Sequence, residues 1–286
     1  MIDNNKKYYL LRHDKVFKNV FYRDYNLLKK FLMDILSNFY ENLEINTVKL
    51  LNTELTKDRI YVKNKTVDIL VEAAGKYINI EINIDSGFKT IYRNFFFLIN
   101  ALVEHIKKGE NYTNIREHIQ INFNFDGKSK EGFEVLQYGN LKTNKVSIPF
   151  LKTININIDY FKDKWYNSDR PKDFYEKYKS IIVFGLDEDE FKGLKDDDKY
   201  MEKLKNDVDT LNKDPEFYQA MTDEEDIKFQ VNSSFIEGKN EGVSQGVLEG
   251  SKAKTEEIVR KMKEENISSE MIQKITGLSI EEINNI

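Results

Sequence analysis

Cysteine is absent from this 286-residue chain, which excludes disulfides, thiol nucleophiles and thiolate metal sites. Histidine is nearly as scarce, and His13, His105 and His118 lie too far apart in sequence to form a metal-spacing motif. Any bound metal is therefore expected to be a hard ion held by oxygen. No apolar run approaches the roughly eighteen residues of a membrane span. The first residues, MIDNNKKYYLLRHDK, lack the apolar stretch of a secretory leader, so the expected location is the cytoplasm, with no membrane partner.

Enough apolar material is present for a substantial core. Apolar residues make up 40% and aromatic residues 13%, including nineteen Phe and sixteen Tyr, which fits one to three folded domains. The net charge of −5 is uneven: residues 187–226 hold sixteen acids against six Lys, a balance of −10, so the remainder sums to +5. Within residues 1–60, eleven Lys and Arg face eight acids, with Lys15, Lys18, Arg23, Lys29 and Lys30 near the first expected helix. Such lysines form either a solvated helix face or a contact to phosphate.

Residues 66–84, TVDILVEAAGKYINIEINI, alternate as two strands. Val67, Ile69 and Val71 share one face while Thr66, Asp68, Leu70 and Glu72 share the other; Ile78, Ile80, Ile82 and Ile84 oppose Tyr77, Asn79, Glu81 and Asn83. With Ala74 and Gly75 at the centre of the turn, and Gly75 supplying a positive φ, Ala73 pairs with Lys76 and Asp68 falls opposite Glu81. Like charges across a ladder cost up to ~1 kcal/mol, so the pair implies a compensating cation. The alternative is an ordinary wet face of an antiparallel sheet. Asn83, on the same face as Glu81, completes a compact polar trio.

Around the hairpin, a short helix is expected near residues 15–21 and a longer one over 24–40, with Leu27, Leu28, Phe31, Leu32, Ile35 and Leu36 at helical spacing. Residues 45–51 read as a strand. Residues 88–108 predict a mostly buried helix with a core stripe of Ile91, Phe95, Leu98, Ile99, Leu102 and Ile106, ended by Gly109. Its one charge between Lys89 and Glu104 is Arg93, which calls for a carboxylate or phosphate partner, structural or functional. Residues 117–125 read as a half-buried strand, and Ile154, Ile156 and Ile158 as another. The order predicts an α/β fold, a mixed sheet packed on helices.

Residues 1–160 thus form the expected core, and 161–235 an acidic helical auxiliary region broken at Pro171 and Pro215. Gly238, Gly242, Gly246 and Gly250 follow at every fourth position; each costs a helix about 1 kcal/mol, so residues 236–254 read as a weak helix or a flexible tether, with the tether favoured. Residues 255–286 carry a charged helix and two short helices around Gly277, with Ser268 and Ser279 as N-caps, in helix-turn-helix outline. From Glu264 onward five Glu face one Lys, which favours protein interaction, with homo-oligomers as one outcome, over DNA-groove entry.

The segment VDILVEAAGKYINIEIN resembles the core of the PD-(D/E)XK nuclease superfamily, and more specifically the recombination-promoting nuclease and transposase family. DKVFKNVF, LNTELT, GENYTNI, the Gly-repeat tail and ITGLSIEEI carry the same resemblance across nearly the whole chain. It implies a restriction-endonuclease-like α/β core with a helical C-terminal extension, and a metal-dependent DNA endonuclease. Asp68 and Glu81 match the metal-binding acids, with Glu54 an acidic position on the preceding strand and the Ile82 carbonyl a further donor. The implied metal is Mg²⁺, with Mn²⁺ or Ca²⁺ as alternatives. DNA is the implied partner, with Arg93 and Lys18 as candidate contacts. Asn83 stands where the family has Gln and the superfamily Lys; it can orient water or phosphate but supplies no charge. The alternative readings are an accessory protein that binds DNA without cutting it and a protein-interaction module working through the C-terminal segments.

Overall fold

The computed structural model describes residues 6–51, 68–84, 87–106, 109, 111–125, 130–194 and 198–286. Two helices come first, α1 (Asp14–Arg23) and α2 (Tyr25–Leu36), separated by Asp24, whose side chain accepts the backbone N–H groups of Asn26 and Leu27 and so caps α2. All six apolar positions expected to face inward on α2 are buried.

The sheet has six described strands: β1 (Val48–Leu50), β2 (Ile69–Ala73), β3 (Lys76–Asn83), β4 (His118–Asn124), β5 (Phe133–Asn140) and β6 (Lys145–Asn157). Their spatial order is β1-β2-β3-β4-β6-β5, and the sheet is mixed, with β3–β4 and β4–β6 parallel and the other pairs antiparallel. The helix α3 (Phe88–His105) makes the crossover between β3 and β4. The expected strand through Ile158 stops one residue earlier: Asn157 ends β6 and caps α4 (Ile158–Asn167) by accepting the Tyr160 N–H. β5 has no counterpart in the sequence reading, because its side chains are mostly exposed and its apolar residues do not alternate.

Ile78, Ile80 and Ile82 stand beside Ile119, Ile121 and Phe123, which in turn stand beside Ile154 and Ile156. Phe123 stacks on Phe31 of α2, with ring centroids 5.6 Å apart, and on Phe184 of α5 (Lys172–Gly185), 4.9 Å apart. Phe184 also meets Phe17 of α1. These rings make the centre of the core, each pair adding about 0.5–1.5 kcal/mol beyond burial.

That packing runs on past residue 160. The chain forms two compact units, Met1–Tyr218 and Gln219–Ile286. The first includes α5, α6 (Glu188–Gly193) and α7 (Lys199–Lys213), whose Ile181, Phe184, Phe191, Leu204, Val208 and Leu211 are buried. Its acids lie on outward faces while every third or fourth apolar residue turns inward, so charge density concealed a core-forming segment.

α8 (Pro215–Glu264) is helical without interruption and takes in residues 236–254, the weak-helix form of that segment. No atom stands within 4 Å of a Cβ built on any of its four repeat glycines, so no tight packing explains them among the described residues. Helix continued from both sides adds a hydrogen bond for each residue fixed, which offsets part of the glycine cost. The last two helices are as expected: α9 (Ser269–Thr276) ends at left-handed Gly277, and α10 (Ile280–Asn285) starts in a capping box between Ser279 and Glu282. Val259, Ile272 and Ile283 form the small core of this unit. No described helix is long and apolar enough to cross a membrane.

Candidate active site

The hairpin register is the expected one, Ala73 with Lys76 through Ile69 with Ile80. Both central turn residues have positive φ, Ala74 at 49° and Gly75 at 70°, the backbone of a type I′ turn. Ala74 therefore shares the left-handed burden that Gly75 alone was expected to bear, at a cost of about 1 kcal/mol.

Just before β2, Asp68 reaches across to β3. Its N–H donates to Glu81 Oε1 at 3.0 Å, and its Oδ2 accepts the Ile82 N–H at 2.9 Å. The two acids are thus laced together through backbone groups, with Asp68 8% and Glu81 3% exposed. Asp68 Oδ1 is held by the Lys18 ammonium at 3.0 Å, and the Asp68 carbonyl accepts the Tyr22 hydroxyl at 2.9 Å. Lys18 and Tyr22 are four residues apart on α1 and so share one helix face. That spacing was legible in the sequence; the target of the face was not.

Burial, then the adjacent Asp68 charge, pushes the Glu81 carboxyl up from 4.5 to about 8, against the pull of the Asp68 N–H, Arg93 and Lys18. The folded protein therefore holds a proton on Glu81 that the unfolded chain has released between pH 4.5 and about 8. Stability of the metal-free protein is expected to fall as pH rises through that window. Thermal melting from pH 5 to about 8.5 checks this, and a Glu81→Gln variant with the same downward slope would contradict it.

Asn83 is 2% exposed and fully engaged: its Oδ1 accepts from Arg93 Nη2 at 2.9 Å and its Nδ2 donates to Asn124 Oδ1 at 3.1 Å. Arg93 thus finds amide oxygens, with Asn94 Oδ1 at 3.4 Å, where a carboxylate or phosphate was expected. Its guanidinium still helps to hold the Glu81 charge. Glu54, with Thr66 and Val67, lies outside the described residues.

The polar side of the sheet is not wet. Asn79, Glu81, Asn83, His118, Gln120 and Asn122 are all buried, and α3 lies over them through Asn94, Phe97, Leu98 and Ala101. Amide rungs bridge this face: Asn79 Nδ2 donates to Gln120 Oε1, Gln120 Nε2 and Asn94 Nδ2 to Asn122 Oδ1, Asn122 Nδ2 to Asn155 Oδ1, and Asn155 Nδ2 to Glu134 Oε2, all within 2.7–2.9 Å, while Asn79 Oδ1 and His118 Nε2 are buried without a partner among the described residues. A wet face would carry Lys and Glu; amides that bond one another can be buried. The expected stripe on α3 is corrected accordingly, since Ile91 and Phe95 are 51% and 54% exposed while Asn94, Phe97 and Ala101 face the sheet.

His105 and His118, distant in sequence, come together around Tyr77, with their ring centroids 5.6 Å apart. Burial pulls His118 down to about 4, so it is neutral near pH 7. Among the described residues no three His, Cys, Asp or Glu side chains gather as a metal-holding group. The Asp68–Glu81 pair nevertheless suits a hard cation. Both donors are carboxylate oxygens, the burial of the pair penalises negative charge, and Glu81 Oε2 takes no hydrogen bond from the described residues.

A mixed sheet flanked by helices, with Glu81 on β3 and Asp68 just before β2, is an α/β core of the PD-(D/E)XK nuclease type. Residues 11–237 match the PD-(D/E)XK nuclease family transposases, and the chain belongs to that family. No curated protein and no solved structure matches the chain.

Proposed function

We propose that this protein is a metal-dependent DNA endonuclease that hydrolyses phosphodiester bonds in transposition or recombination, in the cytoplasm. The observation that carries the reading is the burial of Asp68, just before β2, against Glu81 of β3 in a family nuclease core. Asp68 Oδ1 and Glu81 would hold Mg²⁺, with Mn²⁺ or Ca²⁺ as substitutes, and Glu54 as a third acid. Such an ion, when bound, activates water and neutralises charge on the phosphate under attack. The chain's own residues orient the site: the Ile82 N–H fixes the Asp68 carboxylate, and Asn83 fixes the Arg93 guanidinium beside the acids. Arg93 is the group suited to receive a DNA phosphate.

Asn83, with both ends of its amide already bonded, supports a second reading, a DNA-binding accessory protein without cleavage. Purified protein with supercoiled plasmid and Mg²⁺, Mn²⁺ or Ca²⁺ separates the two. Nicking that survives equally in Asp68→Ala and Glu81→Ala would remove the site assignment; salt-sensitive binding without nicking would favour the accessory protein. Asn83→Gln is expected to keep or raise the nicking rate, and a fall of about tenfold, 1.4 kcal/mol in the barrier, would contradict the role given to that position. Met271, Ile275 and Ile280, exposed on α9 and α10, support self-association through the C-terminal helices.

A further inference from the structure

We infer that Lys18 is the resident counter-cation of the acid pair, displaced from Asp68 when a divalent ion enters and then turned on the DNA phosphate, supplying the positive charge that Asn83 lacks. The inference rests on the metal-dependent reading above. It stands on the way the oxygens of Asp68 are divided. Oδ2 already accepts the Ile82 N–H, so Oδ1 is the oxygen more open to a cation, and Lys18 Nζ sits on it at 3.0 Å. Any ion that binds there competes with the ammonium directly.

The position of Lys18 is not incidental to a loose surface helix. Val16, Phe17, Val20 and Phe21 bury the other side of α1, and the Tyr22 hydroxyl ties the same helix to the Asp68 carbonyl. The Lys18 side chain keeps 26% exposure, and its second acid, Asp14 Oδ2, is 3.7 Å away, so the ammonium has an open side and a weaker alternative partner. A flexible four-carbon stem lets it leave Oδ1 without moving the helix. Arg93, the other nearby cation, is held by Asn83 and Asn94. Lys18 is therefore the mobile charge of the site and Arg93 the fixed one.

Titration calorimetry with Mn²⁺ on the full chain, together with plasmid nicking at saturating Mn²⁺, tests this. Removing a unit charge at 3.0 Å is expected to tighten Mn²⁺ binding in Lys18→Met by about tenfold, the Coulomb weight of that charge in a water-like dielectric. Nicking by the same variant is expected to slow by about tenfold or more, the loss of one phosphate-directed charge. Lys18→Arg keeps the competing charge and is expected to bind Mn²⁺ within about threefold of the unaltered protein. Unchanged Mn²⁺ affinity in Lys18→Met, or unchanged nicking at saturation, overturns the inference. Lys18→Gln gives the same readings should the Met variant not fold. An unaltered protein that binds no Mn²⁺ removes the metal reading, and this inference falls with it; one that binds Mn²⁺ equally with and without Lys18 removes the inference alone.

Discussion

Glu81→Gln is expected to lower metal-dependent nicking by more than about a hundredfold, because loss of a group that merely supports a metal ligand already costs 10–100-fold. The change is nearly isosteric, and the Gln carbonyl oxygen can still accept the Asp68 N–H that Glu81 Oε1 accepts now at 3.0 Å. It removes a buried carboxyl that burial and Asp68 already hold toward its protonated form, so the variant is expected to melt no lower than the unaltered protein at pH 8. Plasmid nicking and thermal melting on the same preparation separate chemistry from folding. A variant that nicks within about threefold of the original would remove Glu81 from the site.

Phe184→Ala is expected to have the largest effect on stability, about 3–5 kcal/mol, as for other fully buried Phe truncations. Phe184 is 1% exposed and touches the rings of Phe17, Phe31 and Phe123, so its removal opens a gap among α1, α2 and the sheet. A fragment ending at residue 160 would lose this ring with all of α5 and α7, and is expected to show no cooperative unfolding transition by circular dichroism. A cooperative fragment, or a Phe184→Ala loss below about 1 kcal/mol, would restore the view that the acidic helices are an appendage.

The hairpin was the most legible part of the chain. Alternation over residues 68–84 and the Ala74–Gly75 turn set the register, and the register sets Asp68 near Glu81. The cover over that hairpin was not legible. Apolar counting on α3 favoured Ile91 and Phe95, because pattern reading equates the core with apolar neighbours, whereas α3 packs on amides through Asn94 and Phe97. The signal was present all the same: from Tyr77 to Asn83 and from His118 to Asn124 the polar positions are rich in amides, and Glu81 is their only acid. Lys18 and Tyr22 show the opposite limit. Helical spacing joins them to one face, but their meeting with Asp68 spans some fifty positions and arises only from the packing of α1.

The amide rungs have one more consequence. A hairpin turn fixes which residue of β2 faces which residue of β3, but β3 and β4 run parallel, joined through α3, with no turn to align them. Slipping either strand by one place would set Asn79 against an isoleucine and strand its amide in a dry interior. The Asn79–Gln120, Asn83–Asn124 and Asn122–Asn155 pairs therefore work as the teeth of a key, admitting one alignment of the parallel strands and penalising the others. Glu81 lies between two of those teeth, so the device that proofreads strand alignment also fixes how far along the sheet the acid stands.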